Sequence, residues 1–217
     1  WDEGTLISLS MLDKLIDENN MQKSKVKFYK TVEKVKKHLA MIFHRFIEED
    51  NLQIYVNKNL LEAWNPFIRQ NPATMELACE ELFDGKTIVS IEPYILPHKT
   101  KFEDEEAFKK AGGAKDWLTH QGFYVYRNRR LIVYGTWFGK FKKEPAYNLA
   151  RIKLDMSSES DFEWGIDIKK SKATLPVSIE ETVIQIAYLA IEKSVAVYNS
   201  RGVYNRRNTG NNTSLKY

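Results

Sequence analysis

The chain has 217 residues, of which 43% are hydrophobic and 29% charged, and its formal net charge is +4. This composition is typical of one generous globular domain, and no run approaches the roughly 18 consecutive apolar residues of a membrane helix. Cys79 is the single cysteine, so a disulfide within the chain is excluded. The start at Trp1 predicts a fragment or processed chain, and without a basic n-region a signal peptide is not expected. The single cysteine favours a reducing cytoplasm.

The first elements are predicted to be a short strand over 4–9 and a long amphipathic helix from about 23 to 47. Apolar residues recur along this helix at helical spacing: Val26, Tyr29, Val32, Val35, Leu39, Ile42, Phe43 and Phe46. Basic residues also crowd it, with Glu33 as the only acid between them: Lys23, Lys25, Lys27, Lys30, Lys34, Lys36, Lys37 and Arg45. Such a run is either a solvated face or a surface that binds phosphates.

The middle of the chain is predicted to contain a strand over 52–57, a short helix over 74–83 and a strand over 86–96. Pro93 interrupts the last of these, which indicates an edge strand or a bulge. Thr100 and Glu103 have the spacing of a capping box and predict the start of a helix. Gly112 and Gly113 are expected to end that helix.

A β-hairpin is predicted next, with strands over 121–127 and 130–135 around a short turn. Asn128 is expected to adopt the left-handed conformation at the turn, which asparagine tolerates. Three arginines surround this tip: Arg127, Arg129 and Arg130. Guanidinium groups so close together repel one another, so they are either solvated or face an anion such as a nucleic-acid backbone.

The last elements are predicted to be strands over 148–156 and 161–168, a loop, and a helix that ends near Asn199. Ser178 and Glu181 form a second capping box, and the helix has an apolar face: Ile179, Val183, Ile186, Ala187, Ala190 and Ile191. The basic segment 201–217 is expected to be disordered. This order of elements predicts an α+β fold: a mixed sheet with helices on one face and a partly wet opposite face.

Motifs for metal or nucleophilic chemistry are absent from the sequence. His38 and His44 are six residues apart on a helix and cannot share a metal site. A run of amines follows the predicted strand 161–168, with Lys169, Lys170 and Lys172 around Ser171. An ammonium group is a compact charge that suits a phosphate oxygen, although an exposed polar loop would have the same composition.

Three stretches of the sequence resemble GHKL ATPases, the superfamily of gyrase B, MutL and MORC proteins. The stretch "GTLISLSMLDKL" resembles the closing strand of their nucleotide-binding lobe, and "FYVYRNRRLI" resembles a hairpin of their second domain. The stretch "NLARIKLDM…DFEWGIDIKKSKATLP" resembles the strands and lysine loop of the same domain. The resemblance covers about residues 4–200 and extends to bacterial ATP-binding proteins in defence settings.

The resemblance implies a transducer domain, a two-layer αβ sandwich of the small-ribosomal-subunit type. It implies the exit of a nucleotide-binding lobe over 1–22, the transducer over 23–200 and a basic tail over 201–217. In that family a lysine of this loop contacts the γ-phosphate of ATP and couples hydrolysis to conformational change. By position Lys170 is the first candidate, and Lys172 and Lys169 are the alternates.

The resemblance also implies partners and cofactors. ATP and Mg²⁺ would be bound mainly by the lobe, because this sequence contains no Asp-x-Gly-x-Gly and no acidic–Asn helix pair. The implied partners are the lobe itself, a second copy of the chain, and DNA or RNA, with no membrane. The alternative is a module without catalysis that binds nucleic acid through the arginines and the basic helix, or that only dimerises or docks a partner.

Overall fold

The computed structural model describes residues 7–8, 20–166 and 173–210, with the side chains of 201–210 excepted. The helices are α1 (Met21–Ile42), α2 (His44–Glu49), α3 (Glu105–Ala111) and α4 (Val177–Gly210). The strands are β1 (Tyr55–Val56), β2 (Asn59–Leu60), β3 (Met75–Glu76), β4 (Glu80–Phe83), β5 (Ile88–Ile95), β6 (Gly122–Arg127), β7 (Arg130–Thr136) and β8 (Ala150–Met156). None of the helices in these ranges has an apolar stretch long enough to cross a bilayer.

A six-stranded mixed sheet forms the centre of the fold. Its order is β3-β5-β8-β6-β7, and β4 pairs with the same edge of β5 as β3 does. The β6–β8 pair is parallel, and the other pairs are antiparallel. The predicted α+β class with a mixed sheet is therefore confirmed, and the arrangement is consistent with a two-layer αβ sandwich.

Helix α4 lies across one face of the sheet and forms the main core with it. Alternate residues of the central strands point to this face because side chains in a strand have a period of two. Val89 and Ile91 of β5 and Ile152 and Leu154 of β8 are all fully buried there. The six predicted apolar residues of the last helix, from Ile179 to Ile191, are all buried in the same cluster, as expected.

The opposite face of the sheet is also covered. A second buried cluster lies there, under the end of α1 and the segment that follows β2: Met41, Ile42, Phe67, Tyr94, Tyr124, Tyr126 and Leu131. Tyrosines dominate it, and charged side chains of β5 and β8 surround it. This face was predicted to be partly wet, but Glu92, Lys153 and Asp155 are half-buried there and Arg151 is fully buried.

The predicted long N-terminal helix is confirmed as two helices, α1 and α2, with a break at Phe43. Asn20 caps α1 by accepting a hydrogen bond from the backbone N–H of Lys23 at 3.1 Å. The last turn of α1 is buried, whereas its first half is mostly exposed. Most of the predicted strand 4–9 lies outside the described residues.

The predicted helix over 74–83 is wrong, because this segment forms β3 and β4. Asp84 and Gly85 begin the turn into β5, and Gly85 has a φ of +102°. Pairing with β5 shifts by one residue between β3 and β4, opposite Pro93. The proline therefore lies next to a bulge, where proline is tolerated in a sheet, and its carbonyl accepts the N–H of Leu77 at 3.0 Å.

The predicted strand over 161–168 is also wrong within the described residues. A short 3₁₀ helix, Ser158–Ser160, and a turn occupy this part of the chain. Phe162 is 91% exposed while Trp164 is fully buried, so the two aromatic residues do not share one face. Gly165 has a φ of +56°, which reverses the chain and ends the alternation.

The two predicted capping boxes are wrong as well. Asp104, rather than Thr100, caps α3 and accepts a hydrogen bond from the N–H of Ala107 at 2.7 Å. Ser178 lies inside α4 rather than at its N-cap, and its hydroxyl donates to the carbonyl of Asp84 at 2.7 Å. Helix α4 continues to Gly210, past the predicted end, and 211–217 lie outside the described residues.

Candidate functional site

The predicted phosphate-sensing lysines, Lys169, Lys170 and Lys172, lie outside the described residues, but the chain on both sides of 167–172 is described. Thr174 joins the two sides. Its backbone N–H donates to the carbonyl of Trp164 at 2.8 Å, and its hydroxyl donates to the same oxygen at 3.1 Å. The described residues on the two sides of 167–172 are therefore joined directly by hydrogen bonds.

Asp84 connects that place to the sheet. One carboxylate oxygen accepts the N–H groups of Lys86 and Thr87 at 2.9 and 2.8 Å, and the other accepts the indole N–H of Trp164 at 3.0 Å. Its carbonyl accepts the hydroxyl of Ser178 in α4. The side chain of Asp84 thus ties the β4–β5 turn to the base of the lysine segment, while its main chain ties the same turn to the first turn of α4. We call these residues, Asp84, Trp164, Thr174 and Ser178, the loop base.

The ionisation of Asp84 follows from this environment. Burial raises the pKa of its carboxyl, but hydrogen bonds from Ser160, the backbone of Thr87 and Lys86, and Trp164 together outweigh burial. The pKa therefore lies below its ordinary value, and the carboxylate is ionised at neutral pH. An ionised acceptor strengthens each hydrogen bond to this carboxylate, and these bonds hold Trp164 against the β4–β5 turn.

Four exposed apolar side chains are near residues of the loop base in the sequence. They are Phe83, Ile88, Phe162 and Val177, which are 64%, 61%, 91% and 90% exposed. Phe83 and Ile88 are paired across β4 and β5 next to Asp84. Phe162 is two residues from Trp164, and Val177 is adjacent to Ser178. Exposed large apolar side chains, such as the adjacent pair Phe83 and Ile88, are a feature of docking surfaces.

The three arginines of the hairpin tip have partners within the protein. Arg127 contacts both carboxylate oxygens of Asp161, at 2.5 and 2.7 Å. Arg129 reaches Glu49 at 2.5 Å and Asp50 at 3.0 Å, both at the end of α2.

The third arginine, Arg130, lies 5.5 Å from the centre of the Phe43 ring. The anions that face Arg127 and Arg129 in the structure are therefore carboxylates of the same chain. Binding of nucleic acid by this tip stays a prediction. The turn itself is as predicted, since Asn128 and Arg129 have φ values of +46° and +69°.

A chain of ion pairs crosses the sheet face that carries Tyr94, Tyr124 and Tyr126, which we call the tyrosine face. Arg45 of α2 contacts Asp155 at 2.5 Å, and Lys153 contacts Glu92 at 2.7 Å and Asp155 at 3.7 Å. Tyr94 donates its hydroxyl to Glu92 at 2.7 Å. Burial raises the pKa of Glu92, but the bonds from Lys153 and Tyr94 bring it below its ordinary value.

Arg151 is a fully buried charge on the same face of β8. Its guanidinium donates to the carbonyls of Pro66 and Ala111, at 2.5 and 3.3 Å. The rings of Trp64, Trp117 and Tyr124 lie 5.5, 5.2 and 6.0 Å from its central carbon. Carbonyl dipoles and aromatic faces therefore replace a carboxylate partner, and burial lowers its pKa.

His120 lies next to this arginine and is held neutral. Its Nδ1 is 3.1 Å from the hydroxyl of Tyr124, and its ring stacks on Tyr134 at 5.5 Å. Burial, followed by the charge of Arg151, lowers the pKa of His120 to about 3. Burial also raises the pKa of Tyr124 to about 12. Both groups are uncharged at neutral pH, and they pack as neutral side chains on the tyrosine face.

Sequence reasoning missed the loop base and the buried arginine. An Asp-Gly pair between two strands is a strong hairpin signal, so Asp84 and Gly85 could have revealed the β4–β5 turn. Arg151 alternates with apolar residues as a solvated side chain would, and no local sequence signal distinguishes a buried arginine from an exposed one at this position. Among residues 20–166 and 173–200, no group of three or more His, Cys, Asp or Glu side chains could hold a metal ion.

No protein-family model matches the chain, and neither a curated protein nor a solved structure shows significant similarity to it.

Proposed function

We propose that this chain is the transducer part of a GHKL-type ATPase, in which a lysine of 169–172 contacts the γ-phosphate of ATP bound by a nucleotide-binding lobe. The observation that supports this most directly is the loop base. It joins the two sides of the lysine segment to the β4–β5 turn and to α4 through hydrogen bonds of 2.7 to 3.1 Å.

A rigid base matters because a phosphate sensor must hold its cation in place before the nucleotide arrives. A preorganised ammonium group loses little entropy when it meets a phosphate oxygen. Trp164 is fully buried, and Asp84 is 2% exposed, so neither moves without disrupting the core. A free polar loop would not need such support.

The exposed apolar side chains near the loop base in the sequence are the second support. A lobe that docks there would cover Phe83, Ile88, Phe162 and Val177 and bring its nucleotide next to the lysine segment. Burial of such side chains stabilises an interface by roughly 25 cal/mol per Å². The same patch would have no purpose on a module that acts alone.

Coupling from the phosphate to the rest of the domain has a direct route. Helix α4 begins within five residues of Ala173 and is bonded to Asp84 through Ser178. It then packs along β5 and β8 through Val183 and the apolar residues that follow. Loss of the γ-phosphate would release the lysine, and the loop base would transmit the change to α4.

The test is ATP turnover by this chain joined to its nucleotide-binding lobe. Replacing the sensing lysine by alanine, tried as Lys170→Ala, Lys172→Ala and Lys169→Ala, should reduce kcat by about 100-fold, as expected when one charge-stabilising donor is lost. Lys142→Ala removes an exposed lysine elsewhere and should leave turnover unchanged. Normal turnover in all three loop variants would contradict the proposal.

Docking is tested separately with Phe162→Asp. The substitution places a charge in the proposed interface, so it should weaken the association of the transducer with the lobe. Sedimentation should show the variant and the lobe as separate species at concentrations where the unaltered pair sediments as a complex. Asp116→Asn, at a carboxylate outside this patch, is a control that should not change association. Undiminished association of the Phe162→Asp variant would place the lobe elsewhere.

A further inference from the structure

A basic cleft lies between α1 and the body of the domain. It has a volume of about 990 Å³ and lies between α1, residues 114–115 and Tyr134 of β7. Lys30, Lys34 and Lys37 line it from the helix, and Lys115 lines it from the opposite side. The cleft lies on α1 and β7, whereas the loop base lies at the β4–β5 turn and the start of α4.

The charges of the cleft are not neutralised by the protein. The ammonium groups of these four lysines have no carboxylate partner among the described residues. One acidic residue, Glu33, is among the described residues that line the cleft, and its carboxylate is paired with Lys36 at 2.9 Å. The cleft is therefore a concentrated positive surface that suits an anion with several charges in a row.

The spacing of the lysines suits a polyanion. Lys30, Lys34 and Lys37 occupy successive turns on one side of α1, and a rise of about 1.5 Å per residue spreads them over about 10 Å. A small anion would meet one or two of them at once. A chain of phosphates would contact the whole row, with Lys115 on the other side.

Aromatic side chains lie beside this row. Tyr29 is 53% exposed and lines the cleft, and Tyr134 lines the opposite wall with its ring fixed by stacking on His120. Val26, which is 46% exposed, adds apolar surface at the entrance. Half-exposed tyrosines between lysines provide platforms on which unpaired bases stack.

From these observations we infer that the cleft binds single-stranded nucleic acid, with the lysines on the phosphates and Tyr29 stacked on a base. A duplex would offer phosphates but hide the faces of its bases, and an acidic peptide would offer charge without a stacking partner. The inference goes beyond ATP sensing, and it is independent of the lobe and of the hairpin arginines.

The test measures binding of a fluorescent oligothymidylate to the full chain by anisotropy, in the absence of ATP. The triple variant Lys30→Gln, Lys34→Gln, Lys37→Gln should bind more weakly. The slope of log affinity against log salt should become shallower by about 2, because each phosphate contact with a single strand contributes about 0.7. The variant Lys86→Gln, Lys101→Gln, Lys142→Gln removes the same charge from exposed sites elsewhere and should retain most of the affinity.

A second pair of variants tests stacking. Tyr29→Ala should reduce affinity at least about fivefold, and Tyr29→Phe should retain it, because the phenyl ring stacks as well. Equal losses in both lysine variants, equal affinity for a duplex of the same length, or unchanged binding by Tyr29→Ala would each overturn the inference. All of these side chains are exposed, and thermal unfolding checks that each variant is folded. Failure of the ATP-sensing proposal would leave this result unaffected, because the binding assay contains no ATP.

Discussion

The two faces of the central sheet are stabilised by different physics, and β8 shows the difference residue by residue. Ile152 and Leu154 point toward α4 and are fully buried among apolar side chains. Arg151 and Lys153 point the other way, and they are held by carbonyl groups, aromatic rings and Glu92. The strand therefore has an apolar side and a charged side, and both are withdrawn from water.

The difference between the faces shows which one mainly sets the stability of the protein and which one makes that stability depend on pH. Burial of apolar surface is non-directional and independent of pH, so the α4 face is expected to tolerate changes of side chain that preserve volume. A buried charge costs free energy unless its partners are in place, so the tyrosine face depends on geometry and on protonation. The α4 face should therefore respond mainly to changes of volume, and the tyrosine face to changes of pH.

The largest effect is expected on the α4 face, for Leu154→Ala. The residue is fully buried, and its truncation should lower the free energy of unfolding by about 2–5 kcal/mol through lost burial and a cavity. Urea denaturation measures the loss. The control Phe162→Ala, at a side chain that is 91% exposed, should change stability by less than about 0.5 kcal/mol. Equal effects for the two variants would show that Leu154 is not in the core.

The second effect belongs to the tyrosine face and depends on pH. The pKa of His120 is about 3 in the folded protein and about 6.5 in the unfolded chain. Between these values the unfolded state binds a proton that the folded state does not, so stability decreases as the pH falls below about 6.5. This group should contribute a loss of about 2–3 kcal/mol between pH 6.5 and 4.5.

The measurement for His120 is the free energy of unfolding across that pH range, compared with the His120→Gln variant. A glutamine side chain cannot titrate, so the variant should show a flatter pH dependence whatever its stability at neutral pH. Carboxylates with lowered pKa values, such as Asp84 and Glu92, titrate in both proteins and largely cancel in the comparison. Parallel curves would show that His120 is not held neutral.

The smallest effect is expected at the hairpin tip, where Arg127→Lys preserves the charge but loses the two-pronged contact with Asp161. Because this pair is partly exposed, stability should fall by about 1 kcal/mol or less. Urea denaturation gives the stability change. A loss as large as that of Leu154→Ala would mean that the tip belongs to the charged core rather than to the surface.

Much of the fold could be predicted from local patterns. The apolar face of α4 was recognisable from Ile179, Val183 and Ile186, because a helix that packs on a sheet needs one continuous stripe. The hairpin over β6 and β7 was recognisable because Asn128 can take the left-handed conformation that its turn requires. These signals are short-range, and no distant residue has to be known to interpret them.

The errors arose where distant contacts decided the conformation. Trp164 and Phe162 alternate like residues of a strand, but the bond from Trp164 to Asp84 holds that segment as a turn. Ser178 has the spacing of a helix cap, but its hydroxyl donates to Asp84 instead. In both cases a partner about 80 or more residues away in sequence competes successfully with the local pattern.

The sequence by itself determined the α+β class, the two long helices, the hairpin and the apolar residues of α4, because periodicity and turn chemistry are encoded within a few neighbouring positions. Only the tertiary structure decided that Arg151 is buried, that two hairpin arginines face carboxylates of their own chain, and that Asp84 joins the ends of the lysine segment to the sheet. A charged side chain has no local preference for burial. Its position depends on whether carbonyls, rings or carboxylates from distant parts of the chain arrive to replace water.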